Sequence, residues 1–122
     1  MVQRQLDRYN ARDLAGWLAT YAEDAEQFEL HGARLARGHA EMAERMRLRF
    51  TEPDLQATLL SRVVMATAPA CVVVDYERIR RNFVEGPGTV EMLCVYEVAG
   101  GLIRKASFAL GERQWARDES KN

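Results

Sequence analysis

Residues 55–110 settle into four long runs of alternating or β-branched residues, with short turn-forming segments between them and no helical spacing to interrupt them. That half of the chain fits a meandering antiparallel sheet. The runs cover residues 55–67, 71–83, 89–98 and 102–110. Ala68-Pro69 turns the first into the second, "EGPG" at 85–88 is a hairpin connection, and "AGG" at 99–101 is a tight hairpin turn. Residues 112–122 form a polar tail broken only by Trp115, so one domain is expected over residues 1–111.

The first half reads differently. Val2, Leu6 and Tyr9 make one helical stripe, and Asn10 is a candidate left-handed stop. Asp13 is placed to cap a second, very short helix, whose stripe Leu14, Trp17, Leu18 and Tyr21 follows i, i+3, i+4, i+7. Gly16 weakens that helix by about 1 kcal/mol relative to alanine, so packing through Trp17 must hold it. The acidic pair Glu23-Asp24 ends the helical region. Residues 25–30 then read as a strand with Gln27 and Glu29 on one face and Phe28 and Leu30 on the other. His31-Gly32-Ala33 turns the chain, residues 35–37 add a short strand, and Gly38 opens a third helix striped by Met42, Met46 and Phe50 and ended by Pro53. Helices first and strands after give an α+β class, with helices packed on one face of a curved sheet.

With 17 basic against 18 acidic side chains in 122 residues, the net charge of −1 argues against nucleic acid or an anionic membrane as the main partner. Residues 34–49 carry five arginines against two glutamates, and without interleaved aromatics they read as an ordinary solvated helix face. Cys71 and Cys94 lie in apolar runs and read as buried free thiols. No metal-ligand spacing, signal-peptide core or membrane-length apolar run occurs, so a soluble cytoplasmic protein without metal or cofactor is expected.

The segments "VQRQLDRYNARDL" (2–14), "YAEDAEQFE" (21–29), "RGHAEM" (37–42), "VVVDYERI" (72–79) and "VYEVAGGLIRKASF" (95–108) resemble the nuclear transport factor 2-like superfamily, closest to its SnoaL-like and steroid delta-isomerase-like branch. The resemblance implies a cone-shaped, cystatin-like α+β fold: three N-terminal helices packed on a curved, mixed but mostly antiparallel sheet, with an apolar pocket inside. It also implies a homodimer through the outer sheet face.

The same resemblance places Glu29 where the family's isomerases carry a proton-shuttling carboxylate, and puts Gln5 and Cys94 where they carry hydrogen-bond donors. Tyr9, one turn beyond Gln5, is a displaced phenol donor. Counted from the family register, Val72, Val74, Tyr76 and Arg78 face the cavity, as do Met92, Cys94, Tyr96, Ala106, Phe108 and Leu110; Asp75, Glu77, Glu91 and Arg104 face outward.

The candidate catalytic set is therefore Glu29, Tyr9 and Tyr76. Gln5, Trp17, Tyr21, His31 and Met46 are candidate ligand contacts from the first half of the chain, and Val74, Arg78, Met92, Cys94, Tyr96 and Phe108 from the second. Each has an ordinary structural role beside the functional one: Glu29 as a strand-edge carboxylate, the tyrosines and Trp17 as core, Arg78 and His31 as surface groups. Two functions stay open. One is a cofactor-independent isomerase or cyclase moving a proton next to a carbonyl in a small hydrophobic substrate. The other is a non-catalytic dimeric module that binds a ligand or partner.

Overall fold

The chain runs α1 (Val2–Asn10), α2 (Leu14–Leu18), β1 (Tyr21–Glu29), β2 (Arg34–Arg37), α3 (Gly38–Arg49), β3 (Gln56–Ala66), β4 (Cys71–Phe83), β5 (Gly86–Ala99) and β6 (Leu102–Trp115) in this computed structural model, which describes residues 1–67 and 69–115. The six strands form one sheet in the order β2-β1-β6-β5-β4-β3. Every neighbouring pair is antiparallel except β1 and β6, which run parallel. This is the expected α+β cystatin-like architecture with a curved mixed sheet. Register slips in β1, β3 and β5 bend the sheet, as bulges do.

α1 buries Val2, Leu6 and Tyr9, as their spacing predicts. Asn10 is not its left-handed stop. Ala11 caps the helix in the right-handed region, and the positive φ (56°) falls on Arg12. Asn10 instead fixes α1 to β3: its Nδ2 donates to the Ala57 carbonyl at 2.9 Å, and its Oδ1 accepts from the Ala57 N–H at 2.7 Å. The Arg12 guanidinium donates to the carbonyls of Glu52, Pro53 and Leu55, which secures the segment after α3.

α2 is shorter than its stripe. Asp13 caps it by accepting from the Gly16 N–H at 2.9 Å. A Cβ on Gly16 would lie 2.2 Å from the Asp13 Oδ2, so the glycine that lowers helix propensity is what admits the cap. Tyr21 belongs to β1, because the Thr20 carbonyl already accepts from Ile103 N–H and Tyr21 pairs with Ile103. Glu23 and Asp24 are exposed strand residues rather than a turn.

The β4–β5 turn is Val84-Glu85, since Phe83 pairs with Gly86, and residues 86–88 are strand. Gly100 and Gly101, at φ 60° and 76°, form the hairpin turn, and Ala99 of the expected 99–101 turn belongs to β5, opposite Leu102. β6 continues past Leu110 into the segment expected as tail. Trp115 pairs with Gly88 and packs edge-on against Phe83, ring centroids 5.1 Å apart. Residues 116–122 and Ala68, which carry the rest of the expected tail and half of the expected turn, lie outside the described residues.

One strand has the opposite face inward from the expectation. In β4 the buried residues are Val73, Asp75, Glu77 and Ile79, while Tyr76 and Arg78 are exposed. The hairpin explains this. A loop with an even number of residues pairs odd positions of one strand with even positions of the other, so Asp75 faces Cys94 and Glu77 faces Met92. With Met92, Cys94 and Tyr96 inward on β5, the odd residues of β4 must be inward too.

Candidate functional site

A cavity of about 210 Å³ lies between the three helices and the inner face of the sheet. From the helices, Gln5, Tyr9, Trp17 and Met46 line it, as expected. From the sheet, Tyr21, Glu29, Met92, Tyr96 and Phe108 do so. Trp17 packs at a tilt on Tyr21 (4.9 Å between centroids) and meets Phe50 edge-on.

The remaining expected residues are elsewhere. Tyr76 is on the outer face, where its hydroxyl donates to Glu91 Oε1 at 2.6 Å. Arg78 pairs with the same carboxylate at 3.4 Å. Val74 shares that outer face. The β4 parity described above moves all three. His31 is exposed in the β1–β2 turn with φ 57° and does not line the cavity. Cys94 is fully buried but is not on the cavity wall, and burial holds its thiol protonated.

Glu29 is exposed and marks the open side of the cavity together with Leu110. Its carboxylate leans on the following turn: a Cβ on Gly32 would sit 3.1 Å from its Oε2. The carboxyl group inside the cavity is Glu77, only 3% exposed. Burial is the largest cause raising its pKa to about 7, and the neighbouring Asp75 carboxylate adds to it. Asp75, itself fully buried, is gripped by Arg62, whose Nε donates to Oδ1 at 2.6 Å and Nη2 to Oδ2 at 2.9 Å. Arg62 also donates to Gln3 on α1 at 2.8 Å.

Three arginines missed from the sequence stand on the wall: Arg45 and Arg49 of α3, and Arg81 of β4. Arg45 Nη1 donates to the buried Gln27 Oε1 at 2.6 Å, and Arg81 is held bidentately by Glu52 at 2.9 and 2.8 Å. The expected solvated helix face is therefore only half solvated. Arg47 is exposed and pairs with Glu44, while Arg45 and Arg49 are partly buried on the cavity side.

Among the described residues, four buried side-chain polar atoms have no hydrogen-bond partner: Trp17 Nε1, the Tyr21 hydroxyl, Arg49 Nε and Glu77 Oε2. All four belong to residues lining this cavity. Interiors rarely leave such atoms unpaired. Burial raises the phenols of Tyr9 (to about 12), Tyr21 and Tyr96, which keeps them protonated and able to donate. The Glu77 charge acts on all three. Among the described residues, no group of three or more His, Cys, Asp or Glu side chains is arranged to hold a metal ion, and no helix is long and apolar enough to cross a membrane.

Solved structures share this architecture. A cystatin-fold protein of uncharacterised function from Novosphingobium aromaticivorans is 18% identical, with 88% of this chain and 93% of that one covered at a TM-score of 0.77. A provisionally assigned ketosteroid isomerase from Kribbella flavida is 18% identical over 91% of this chain and 75% of that one, with a TM-score of 0.71. A provisionally assigned polyketide cyclase from Sinorhizobium meliloti is 18% identical over 88% and 92%, with a TM-score of 0.69. At such identities the likeness speaks for the fold alone. No curated protein matches the chain at a significant level. The sequence profile of the SnoaL-like domain matches residues 2–106, and the chain belongs to that family.

Proposed function

We propose that the protein is a cofactor-independent isomerase or cyclase in which Glu77 moves a proton next to a carbonyl of a small hydrophobic substrate. The observation that carries this reading is a cavity-lining carboxyl, 3% exposed, with one oxygen unpartnered and a pKa of about 7. At neutral pH such a group is present as both acid and base, the condition for taking a proton from one carbon and returning it to another. In the first step the C–H bond breaks, Oε2 takes the proton, and the electron pair moves into the carbonyl to give an enolate. The unpartnered Tyr21 hydroxyl and Trp17 Nε1–H are the donors available to the developing oxyanion. Neighbouring folds named for ketosteroid isomerase and polyketide cyclase chemistry support the class. Free thiols at Cys71 and Cys94 fit a reducing cytoplasm.

The test is exchange of α-protons with D₂O in small enolisable ketones and lactones. Glu77→Gln should lower the exchange rate by about 10²–10⁴-fold. Undiminished exchange in that variant would remove the proton-transfer role.

A second reading, a non-catalytic dimeric module, draws on the outer sheet face, where Val63, Met65 and Leu93 are exposed. That face would bury a second copy, and the cavity would hold a ligand without turning it over.

A further inference from the structure

Arg45 and Arg49 are one helical turn apart on α3, and both line the cavity. Among the described residues, neither has a carboxylate within salt-bridge distance. Arg45 meets only the neutral Gln27 oxygen, and Arg49 Nε is buried with no partner at all. Arg81 nearby is different, because Glu52 chelates it. That carboxylate also attracts Arg49, but its direct contacts go to Arg81 and to the Asn82 N–H, which donates to its Oε1 at 2.8 Å. Two like charges at i and i+4, partly buried and with no carboxylate in salt-bridge distance, are unfavourable. Burial is the largest cause lowering the pKa of both groups; the Arg49 charge also lowers Arg45, and the Arg81 charge lowers Arg49 against the opposing pull of Tyr9 and Glu52. The groups acting on Glu77 are Asp75 and Arg62, so the guanidinium pair is a separate electrostatic feature of the same cavity.

We propose that the cavity takes a small, mostly apolar carboxylate whose anionic group docks on Arg45 and Arg49. Charge-assisted, fork-shaped recognition by guanidinium suits a planar carboxylate. The apolar body lies against Met46, Met92 and Phe108. At about 210 Å³ the cavity is below the ~300 Å³ lower end of drug-sized pockets, which limits the acid to about one ring. This inference rests on the cavity being a small-molecule site and names the class of molecule.

The probes are matched pairs, benzoate with benzamide and phenylacetate with phenylacetamide, titrated into the full chain at constant ionic strength and followed by NMR, including the Arg49 Nε–H signal. Thermal melting verifies that each variant is folded. The carboxylates should bind at least about tenfold more tightly than the amides and shift the Arg49 signal. Arg49→Met should abolish most of that preference while leaving amide binding within about threefold, and Arg49→Lys should restore part of it. Tyr76→Phe, on the outer sheet face, should leave the preference in place. Amides binding as well as the acids, or a preference that survives both Arg45→Met and Arg49→Met, would overturn the anion assignment and leave the pocket and Glu77 untouched. No binding by any probe would overturn it together with the small-molecule reading.

Discussion

Asp75 and Glu77 lie two residues apart on the inward face of β4, and only one of them is answered: Arg62 holds both oxygens of Asp75, at 2.6 and 2.9 Å, while Glu77 Oε2 is buried without a partner. The pairing divides the labour between two buried carboxyl groups. Asp75 is structural and ties β4 to β3 through Arg62. Glu77 keeps a free oxygen facing the cavity side.

Removing Arg62 leaves the fully buried Asp75 charge uncompensated. Arg62→Met should cost about 3–5 kcal/mol in urea denaturation. Adding Asp75→Leu should recover most of the loss, because the pair is then replaced by apolar groups.

The raised pKa of Glu77 links its proton to stability. Between the ordinary value of 4.5 and about 7, the folded chain holds a proton that the unfolded chain has released. Its contribution is fully present below 4.5 and is lost as pH rises through about 7. The loss should be on the order of 3 kcal/mol between pH 4.5 and 8, seen as the difference between the wild type and Glu77→Gln in denaturation at each pH. Parallel pH profiles for the two proteins would contradict the assignment.

As the proposed anchor for a carboxylate, Arg49 is held at the expense of stability. Arg49→Met keeps the apolar stem and removes a partly buried charge whose Nε has no partner. The variant should be as stable as the wild type or more so, by about 1 kcal/mol, while losing carboxylate binding. A large destabilisation would instead assign Arg49 to the framework.

Tyr76 and Arg78 test the face assignment of β4. Both are exposed on the outer sheet face, around Glu91. Tyr76→Phe and Arg78→Ala should change stability by no more than about 0.5 kcal/mol and leave proton exchange within a factor of two.

Most elements were legible because their periodicities were clean, as in the Val2–Leu6–Tyr9 stripe and in β4, whose ends the sequence placed correctly. The family resemblance gave the cone and much of the pocket wall. Two features escaped for physical reasons. Glu77 sits in an alternating run whose polarity gives no face, because Tyr76 and Arg78 outside alternate with Asp75 and Glu77 inside. Only the parity of the hairpin loop could have decided it. The arginines of α3 carried their own signal. Met42, Arg45, Met46 and Arg49 follow i, i+3, i+4, i+7, so two charges occupy apolar-stripe positions. A net charge count over residues 34–49 averages that away. The end of β6 was unreadable from polarity alone: residues 111–114 are exposed, and past a register slip Arg113, Gln114 and Trp115 rejoin β5 opposite Val90, Thr89 and Gly88, with the Phe83–Trp115 contact at the end.

The most direct measurement is the pKa of Glu77 by carbon-13 NMR titration of the side-chain carboxyls, with Glu77→Gln to assign the signal. A value of about 7 is expected for a buried, unpartnered carboxyl beside Asp75. A value at the ordinary 4.5 would mean a solvated or paired group, and Glu77 could not then serve as the proton carrier of this cavity.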